Sequence, residues 1–381
     1  MILDADVLIV GGGMAGASVG YFLAGRGRRV ILLEREDRCG YHTTGRSAAL
    51  YSQAYGNAAI CALTVAGEAF YENPPAGFTD HALLKPRGAL FVGREDQRAT
   101  VEEAVAQGQK LVSSVQFLER DEARAISPAL REDYVACAGW EPNARDIDVD
   151  ALHQGFLRGL RAMGGEVVVN AEVQALERSS GQWQVRTAAG AFSAPIVVNA
   201  SGAWADTIGR MAGCEPVGCT PKRRTAFLFQ PPADMDISRW PLTVDVDEEF
   251  YFKPDAGLLM GSPADETPVE PHDAYADEMD IAVGADRIQT ASTLEIRSIR
   301  HSWAGLRSFV ADKTPVAGFD PDQGGFFWLC GQGGYGIQTA PGLGNAAAGL
   351  IEGEDLPEAV RALGLKSGDL AANRKTLRQI P

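Results

Sequence analysis

The sequence predicts an α/β fold, in which a Rossmann-like domain on a parallel sheet is combined with an α+β lobe built on a mixed or antiparallel sheet. Three observations predict it. A complete βαβ unit fits within residues 7–34. Short apolar strands and amphipathic helices then alternate along the chain. Finally, residues 225–230, 248–253 and 257–261 read as neighbouring antiparallel strands, a pattern that a purely parallel sheet does not produce.

The composition is that of a folded, acidic protein. The chain has 381 residues, of which 45% are hydrophobic and 22% are charged, so it can bury a core and holds roughly two domains at ~150 residues each. Its formal net charge of −15 makes a nucleic-acid partner unexpected, because such a surface repels phosphate. The six cysteines include no C-x-x-C pair and the five histidines no H-E-x-x-H pattern. We therefore expect neither a disulfide framework nor a metal site.

The N-terminal residues and the length of the apolar runs indicate in which cellular compartment the protein is expected. No Lys or Arg precedes Arg26, whereas a secretory signal begins with a basic region. No apolar run approaches the ~18 residues that span a bilayer. We therefore expect a cytoplasmic protein without stable membrane insertion. The sequence leaves its oligomeric state open.

The first element pair is a buried strand and a helix joined by glycines. Residues 7–10 are an apolar, mostly β-branched run that is typical of a buried parallel strand. Gly11, Gly13 and Gly16 follow in G-x-G-x-x-G spacing. In this motif the first glycine makes a tight turn, the second lets backbone approach a pyrophosphate, and the third lets the helix pack closely on the strand.

The helix start and the second strand complete a predicted nucleotide site. Met14 and Ala15 precede the predicted helix, whose N–H groups and positive dipole end would face the phosphates. The second strand, residues 30–33, is followed by Glu34 and Arg35. Glu34 lies roughly 20 residues after the last glycine, the place of an acid that accepts from ribose hydroxyls. Because that acid disfavours a 2′-phosphate, the motif predicts NAD or FAD and not NADP.

Two later segments favour FAD over NAD. Residues 197–204 form a buried strand that ends in small residues, and this brings the backbone of Ala200 and Gly202, with Trp204, toward the same nucleotide. A second glycine-rich segment opens the last predicted helix after an apolar strand at 326–330. Its N–H groups would stabilise an electron-rich ring. The residues of this segment predicted to bind the cofactor are Gly333, Gly334, Tyr335, Gly336 and Ile337.

The remaining elements follow from spacing and from turn residues. Leu152, Phe156 and Leu160 share one face of a predicted helix at 148–163, which Gly164 and Gly165 end. The segment 263–286 is rich in Pro, Asp and Glu and is predicted to be a solvated loop. Further helices are predicted at 17–25, 58–72, 99–110 and 335–352, and further strands at 83–92, 166–170, 183–187 and 195–199, with a hairpin that turns at 188–190.

Several longer motifs, taken in order, resemble a known family. They are residues 40–49 (GYHTTGRSAA), 73–78 (NPPAGF), 150–155 (DALHQG), 221–224 (PKRR), 303–309 (WAGLRSF) and 333–338 (GGYGIQ). Over nearly its whole length the chain resembles the D-amino-acid oxidase superfamily of flavoproteins, in the branch of glycine and sarcosine oxidases. It is most similar to bacterial FAD-dependent D-amino-acid dehydrogenases of the D-arginine dehydrogenase type.

The resemblance implies two interleaved lobes. Residues 1–80, 146–220 and 311–381 would form the FAD-binding domain, and residues 81–145 and 221–310 the substrate-binding domain. The resemblance also places Thr44, Gly45, Arg46, Ser47, Ala48, Val173, Gly305 and Arg307 around the cofactor. Residues 308–329 contain no Cys at the place where some relatives attach FAD, so non-covalent FAD is expected.

The resemblance assigns the substrate's carboxylate to arginine. A guanidinium can bind both carboxylate oxygens, and the family pattern gives this role to Arg307 with Arg224 nearby. Because side chains alternate along a strand, Arg223 would then face away from the pocket. Tyr55 and Tyr251 are expected to donate to the carboxylate or to close the site, and Gln338 to lie near the flavin.

Departures from the relatives point to the side chain of the substrate. Ala89 stands where D-arginine-preferring relatives have an acid, and Leu50 stands in place of a pocket histidine, with Ser52 nearby. Gly305 and Tyr335 complete the expected pocket. An unpaired guanidinium in such a pocket costs several kcal/mol, so neutral or apolar D-amino acids are the expected substrates.

The implied reaction is hydride transfer from the substrate Cα to flavin N5, after which the imino acid hydrolyses to a 2-oxo acid and ammonia. No Lys occurs between residues 254 and 312, where related oxidases place one beside the flavin, so a dehydrogenase is favoured over an oxidase. The electron acceptor, quinone or oxygen, stays open. The alternatives are a sarcosine, N-methyl-amino-acid or glycine oxidase, a 2-hydroxy-acid dehydrogenase, a non-catalytic FAD-binding subunit and an NAD-dependent dehydrogenase.

Overall fold

The computed structural model describes residues 2–378, which form strands and helices in close alternation. The strands within these residues are β1 (Ile2–Asp4), β2 (Val7–Val10), β3 (Val30–Leu33), β4 (Leu50–Tyr51), β5 (Leu84–Pro86), β6 (Ala89–Gly93), β7 (Gln116–Glu119), β8 (Cys137–Glu141), β9 (Arg145–Ile147), β10 (Glu166–Val168), β11 (Val173–Ser179), β12 (Gln182–Thr187), β13 (Gly190–Ala194), β14 (Ile196–Asn199), β15 (Thr220–Phe229), β16 (Leu242–Asp245), β17 (Tyr251–Asp255), β18 (Leu258–Ser262), β19 (Thr267–Pro268), β20 (Ile299–Phe309), β21 (Val316–Phe319) and β22 (Phe326–Cys330). The α-helices are α1 (Met14–Gly25), α2 (Ala58–Glu72), α3 (Arg98–Gln109), α4 (Arg120–Ile126), α5 (Val149–Ala162), α6 (Ala205–Met211), α7 (Glu278–Ala291), α8 (Ala340–Ile351), α9 (Glu358–Arg361) and α10 (Ser367–Leu370).

A six-stranded sheet in the order β10-β3-β2-β14-β22-β21 forms the first layer. Its first five strands are parallel and β21 is an antiparallel edge strand. Helices α1, α2, α5 and α8 cover one face, while α6 and the four-stranded sheet β1-β13-β12-β11 cover the other. Because both faces are buried, strands such as β2 and β3 are apolar throughout. The predicted α/β class is confirmed.

The carboxyl ends of the parallel strands meet at one edge. Val10 is opposite both Leu33 and Asn199, and Asn199 is in turn opposite Trp328. The loops that follow β2, β3, β14 and β22 therefore lie side by side. In open α/β sheets, ligands bind in the crevice outside these ends.

A larger mixed sheet forms the second layer. Its order is β19-β15-β18-β17-β16-β6-β8-β7, with β20 added alongside β15. All its pairings are antiparallel except β16 with β6. A core that includes Phe227, Phe250 and Phe252 supports it. Strand β20 runs along almost all of β15, with Arg224 opposite Gly305.

Several elements differ from the sequence predictions. The strand predicted at 83–92 is two strands in different sheets, because Gly88 takes a positive φ of 75° between them. The loop predicted at 263–286 contains the first turns of α7, where the Asp277 side chain accepts from Met279 N–H and caps the helix. Helix α8 begins at Ala340, not at residue 335. The hairpin of β12 and β13 is confirmed.

The two main sheets draw on separate stretches of chain. The parallel sheet takes its strands from residues 7–33, 166–199 and 316–330, and the mixed sheet from residues 89–141 and 220–309. The residue boundaries of the two expected domains stay a prediction. Within residues 2–378, no helix is both long enough and apolar enough to cross a membrane.

Candidate active site

One cavity of about 320 Å³ opens at the carboxyl ends of the parallel strands and continues to the mixed sheet. Its volume falls within the ~300–1,000 Å³ of small-molecule sites. The predicted residues that line it are Gly11, Gly13, Met14, Ala15, Glu34, Arg35, Thr44, Arg46, Ser47, Ala48, Val173, Ala200, Gly202, Trp204, Arg224, Tyr251, Gly305, Arg307, Gly333, Gly334, Gly336 and Ile337. The structure therefore brings together most of the residues singled out from the sequence.

Glycines form the floor of the cavity at the end of β2. Gly11 has a φ of 108°, and a β-carbon on it would lie 2.4 Å from the carbonyl oxygen of Ala200. A β-carbon on Gly16 would lie 1.9 Å from the carbonyl oxygen of Gly11. Both distances exclude a side chain. Gly16 is not part of the cavity wall, and its absent side chain instead lets α1 start directly against the strand end.

One backbone N–H group at the start of α1 already has a hydrogen-bond acceptor within the protein. The hydroxyl of Thr44 accepts a hydrogen bond of 3.0 Å from Met14 N–H. We expected the first N–H groups of this helix to face a ligand. The Met14 N–H instead binds the side chain of Thr44, 30 residues later in the chain, which caps the helix. Gly13, the N-cap residue, lines the cavity with extended backbone.

Glu34 directly follows β3, and its buried carboxylate lies at the cavity wall. Its Oε2 accepts from Gly12 N–H at 2.8 Å and its Oε1 from Glu36 N–H at 2.9 Å. Two backbone donors therefore fix the orientation of the carboxylate. Each oxygen keeps a second lone pair for a hydroxyl donor from a ligand.

The segment after β3 crosses the cavity and is tied to β20. Thr43 donates to the carbonyl oxygen of Leu306 at 2.8 Å, and the Trp303 indole donates to that of Arg46 at 3.0 Å. These bonds hold Ser47 and Ala48 against the cavity. Gly45 lies outside the lining, and a β-carbon there would come within 2.6 Å of the carbonyl oxygen of Gly40.

Arg307 is an unpaired cation in the cavity wall. Its half-buried guanidinium makes no hydrogen bond or ion pair with other residues of the 2–378 range. A β-carbon on Gly334 would lie 2.8 Å from Arg307 Nη1, so the glycine makes room for this side chain. Burial opposes the charge, but nearby Tyr55, Tyr251 and Glu248 offset it and hold the pKa of Arg307 above its usual value.

Arg224 is, by contrast, buried and paired. Its Nε donates to the carbonyl oxygen of Asp265 at 2.8 Å, and its Nη2 lies 3.3 Å from Glu266 and 3.8 Å from Glu248. Arg223 takes the other face of β15 and pairs with Asp280 at 2.7 Å. The side chains of Arg223 and Arg224 therefore lie on opposite faces of β15, as the alternation along a strand predicts.

Tyrosines surround the free guanidinium. Tyr251 lines the cavity from β17. The Tyr55 hydroxyl donates to Glu248 Oε1 at 3.0 Å, and its ring packs 5.0 Å from that of Tyr335. Burial, followed by the nearby Glu248 charge, raises the pKa of Tyr55 well above its ordinary value. Tyr55 therefore stays a neutral donor across the physiological pH range.

Six expected pocket or catalytic residues lie outside the cavity lining, and Tyr55, described above, is the first of them. Gln338 is buried and donates to the carbonyl oxygen of Tyr55 at 3.2 Å and to Thr64 at 3.1 Å, which positions the Tyr55 loop. Ser52 donates to Glu141 at 2.5 Å, and Ala89 is buried directly opposite Glu141 between β6 and β8.

Leu50 and Tyr335 are the other two. Leu50 pairs with Asp146 between β4 and β9. Tyr335 contacts the site through Tyr55 and not through the cavity wall. The spacing of residues in the sequence does not predict which way these side chains point, because the pairing of distant strands decides their direction.

Glu248 is a site residue that the sequence did not reveal. It lies among four acids between residues 245 and 249, a run typical of a solvated turn. The structure instead gives Glu248 a positive φ of 58° and turns its carboxylate toward Tyr55 and Arg224. The sequence gives one indication of this role, which is that Glu248 lies three residues before Tyr251.

The cavity fits FAD. Glycine backbone replaces side chains at Gly11, Gly202 and Gly334, where a flat or phosphate-bearing group can approach closely, and an oriented carboxylate lies at Glu34. No cysteine is among the described residues of the cavity wall. Residues 2–378 also contain no cluster of three or more His, Cys, Asp or Glu side chains that could hold a metal ion.

Comparison with known proteins agrees with this fit. The family model described as DAO, FAD dependent oxidoreductase, matches residues 6–350. The chain is 26% identical to glycine oxidase of Geobacillus kaustophilus (strain HTA426) over 369 residues, which cover 91% of this chain and 93% of that enzyme. It is 26% identical to human mitochondrial sarcosine dehydrogenase over 367 residues, covering 91% of this chain and 39% of that protein.

The fold also matches a solved structure. The crystal structure of L-proline dehydrogenase from P. horikoshii superimposes with a TM-score of 0.82 at 22% identity, and the match covers 94% of this chain and 96% of that one. At this identity the likeness concerns the fold alone. It agrees with the two-layer arrangement of a parallel and a mixed sheet.

Proposed function

The chain belongs to the DAO family of FAD-dependent oxidoreductases, and from this premise we propose that it oxidises the amine of neutral amino acids that carry one carboxylate. It is an FAD-dependent enzyme that acts on the CH–NH₂ group of amino acids or related amines. The observation that carries the finer proposal is the unpaired Arg307 guanidinium in the cavity wall.

Arg307 binds the substrate's carboxylate in this proposal. A guanidinium offers two parallel N–H donors to two carboxylate oxygens, and such charge-assisted bonds contribute about 1.5–3 kcal/mol. The hydroxyl of Tyr251, on the same cavity wall, offers a further hydrogen bond. A carboxylate is a favourable partner for the free charge on Arg307, because water reaches this half-buried cation only in part.

The other cavity arginines are already engaged. Arg224 pairs with Glu266 and Glu248, and Arg35 with Glu36 and Glu172. Arg46 donates to the carbonyl oxygens of Ala274 and Ala304. One free guanidinium matches one substrate carboxylate.

The cavity near Arg307 favours a neutral side chain. Its wall includes the small or apolar residues Ala48, Ala226, Gly305 and Ile337. The absence of an acid at Ala89 no longer supports this preference directly, since Ala89 is outside the cavity. The preference for a neutral side chain is supported instead by Glu248. Its carboxylate is already bound to Tyr55 and Arg224, so a cationic substrate would find no free carboxylate beside Arg224.

We propose that FAD is bound non-covalently along the glycine floor. Glu34 would accept from its ribose, Gly11, Gly13 and Ala15 would hold its phosphates, and the segments at 44–48 and 333–337 would hold its ring. When bound, FAD supplies the two-electron acceptor for the hydrogen on the substrate Cα. The protein contributes position: Arg307 and the tyrosines hold the carboxylate, and a buried cation disfavours an ammonium group nearby and so favours the reactive neutral amine.

The D configuration of the substrate rests on the resemblance of the sequence to D-amino-acid dehydrogenases. A dehydrogenase is proposed over an oxidase, because no lysine is found among the described residues of the cavity wall. Lys253, two residues after Tyr251, is instead held by Asp146 at 2.7 Å.

Anaerobic bleaching of the flavin spectrum tests the proposal. The purified holoenzyme is mixed with neutral, acidic and basic D- and L-amino acids, N-methyl amino acids and 2-hydroxy acids. Rapid bleaching by neutral D-amino acids, followed by slow recovery in air, is the expected result. Bleaching by N-methyl amino acids or by 2-hydroxy acids alone would discard the proposed substrate while leaving the family and cofactor in place.

A further inference from the structure

We propose that Glu248 is a specificity-determining residue that restricts the site to substrates with a single carboxylate. This inference rests on the proposed function, since it concerns which amino acids the enzyme accepts. Glu248 Oε1 accepts from the Tyr55 hydroxyl at 3.0 Å, and Oε2 lies 3.8 Å from Arg224 Nη2. Glu248 is not itself in the cavity wall, but its carboxylate contacts both Tyr55 and Arg224, and Arg224 lines the cavity.

The balance of charge assigns this role to Glu248. Glu266, the other acid beside Arg224, also binds Lys222 at 2.8 Å, so its charge is shared between two cations. Without Glu248, the ion pair left to Arg224 is with a carboxylate that it shares with Lys222. With Glu248 charged, Arg307 is the cation left for substrate, and a second substrate carboxylate near Arg224 would meet the negative charge of Glu248.

The backbone fixes where this charge lies. Glu248 is in the connection between β16 and β17, its φ is 58°, and its N–H donates to the carbonyl oxygen of Asp245 at 2.9 Å. Non-glycine residues rarely adopt this conformation. The next residue, Glu249, points elsewhere and pairs with Arg94 at 3.4 Å. Two adjacent acids of equal charge therefore have different surroundings.

This pair of acids provides a matched experiment. The kcat/KM values of holoenzyme are measured for one neutral and one acidic amino acid of similar length in wild type, Glu248→Gln and Glu249→Gln. A glutamine at 248 still accepts from Tyr55 but removes the charge. We expect the acidic-to-neutral ratio to rise at least about tenfold in Glu248→Gln, the effect of a single close charge, and to stay at the wild-type value in Glu249→Gln.

A ratio measured within one variant is not altered by a loss of folded enzyme, so a merely structural role for Glu248 would leave it unchanged. Tyr55→Phe adds a second comparison, because it breaks the hydrogen bond and keeps the charge, and we expect its ratio to stay near wild type. Equal ratios in Glu248→Gln and Glu249→Gln overturn the inference alone. A wild-type enzyme that oxidises no amino acid overturns the proposed function as well.

Discussion

The two ends of the cavity are built in different ways. The nucleotide end is made of backbone: the glycines at 11, 13 and 16 belong to one short stretch, and their lack of side chains is what shapes the floor. The substrate end depends on long side chains from segments far apart in sequence: Arg307 lines the cavity, and Tyr55 and Glu248, bound to each other, lie near it. The first end can be recognised from one motif, whereas the second exists only after the mixed sheet has formed.

The difference also predicts how each end fails. A side chain added to the nucleotide end collides with backbone, which cannot move without disturbing the strand. A charge removed from the substrate end leaves its partners in place, and the cost depends on whether those partners remain buried and unpaired. Substitutions at the two ends should therefore separate cofactor binding from substrate selection.

The largest effect is expected at the nucleotide end. In Gly16→Ala the new methyl group would lie 1.9 Å from the Gly11 carbonyl oxygen, so α1 must shift and the purified protein should contain almost no flavin. Gly25→Ala, at the other end of α1 and outside the cavity wall, is the matched control, since its nearest contact is the Met163 sulfur at 3.7 Å. The ratio of flavin absorbance to protein measures both. Full flavin content in Gly16→Ala would contradict the close packing at this position.

A smaller but still large effect separates the two arginines. Arg307→Ala removes an unpaired cation, so we expect kcat/KM to fall by about 10- to 100-fold, from the ~1.5–3 kcal/mol of charge-assisted hydrogen bonds, with the melting temperature nearly unchanged. Arg224→Ala removes a buried guanidinium from two partly exposed carboxylates, which keep Lys222 and Tyr55 as partners, and leaves the Asp265 carbonyl oxygen without this donor. It should destabilise the fold by about 1–3 kcal/mol, the cost of an acceptor left without its hydrogen bond.

Steady-state kinetics and thermal unfolding of the two variants check this contrast. If Arg224→Ala kept its melting temperature and Arg307→Ala lost several degrees, the assignment of the free and the paired arginine would be reversed.

The sequence predicts the nucleotide end and the parallel sheet well for a physical reason. The strand at 7–10, the glycines and Glu34 are neighbours in the chain, so their spacing alone specifies the geometry. The sequence misplaces Ala89 and Gln338 because strand pairing and a buried hydrogen bond to the Tyr55 loop decide where they point. It misses Glu248 because a left-handed backbone residue inside an acidic turn has no local signature.

Glu34 offers a milder test of the nucleotide end. In Glu34→Gln the Oε1 atom can still accept a backbone bond, but the amide nitrogen faces either Gly12 N–H or Glu36 N–H, donor against donor. We expect the affinity for FAD to fall about tenfold, equivalent to ~1.4 kcal/mol. Titration of deflavinated protein with FAD, followed by fluorescence quenching, measures it. An unchanged affinity would show that Glu34 serves the loop and not the cofactor.

The smallest effect concerns the connection between the two ends. Asp312, between β20 of the mixed sheet and β21 of the parallel sheet, binds Arg374 through both oxygens at 2.7 and 2.9 Å and accepts from Thr314 N–H. Although burial opposes the charge, these bonds lower the pKa of Asp312 to about 2. A lowered carboxyl pKa stabilises the fold above the ordinary value of 3.8, and this contribution disappears as the pH falls toward 2.

Asp312→Asn should therefore lower stability by about 1 kcal/mol at pH 7, after allowance for solvent screening. The difference from wild type should be constant between pH 7 and 5 and shrink below pH 4. Asp37→Asn is the control, since Asp37 is exposed. Melting temperatures of the three proteins across this range measure the effect. A wild-type advantage that persists at low pH would mean that packing of the Arg374 segment, and not the charge of Asp312, holds the two sheets together here.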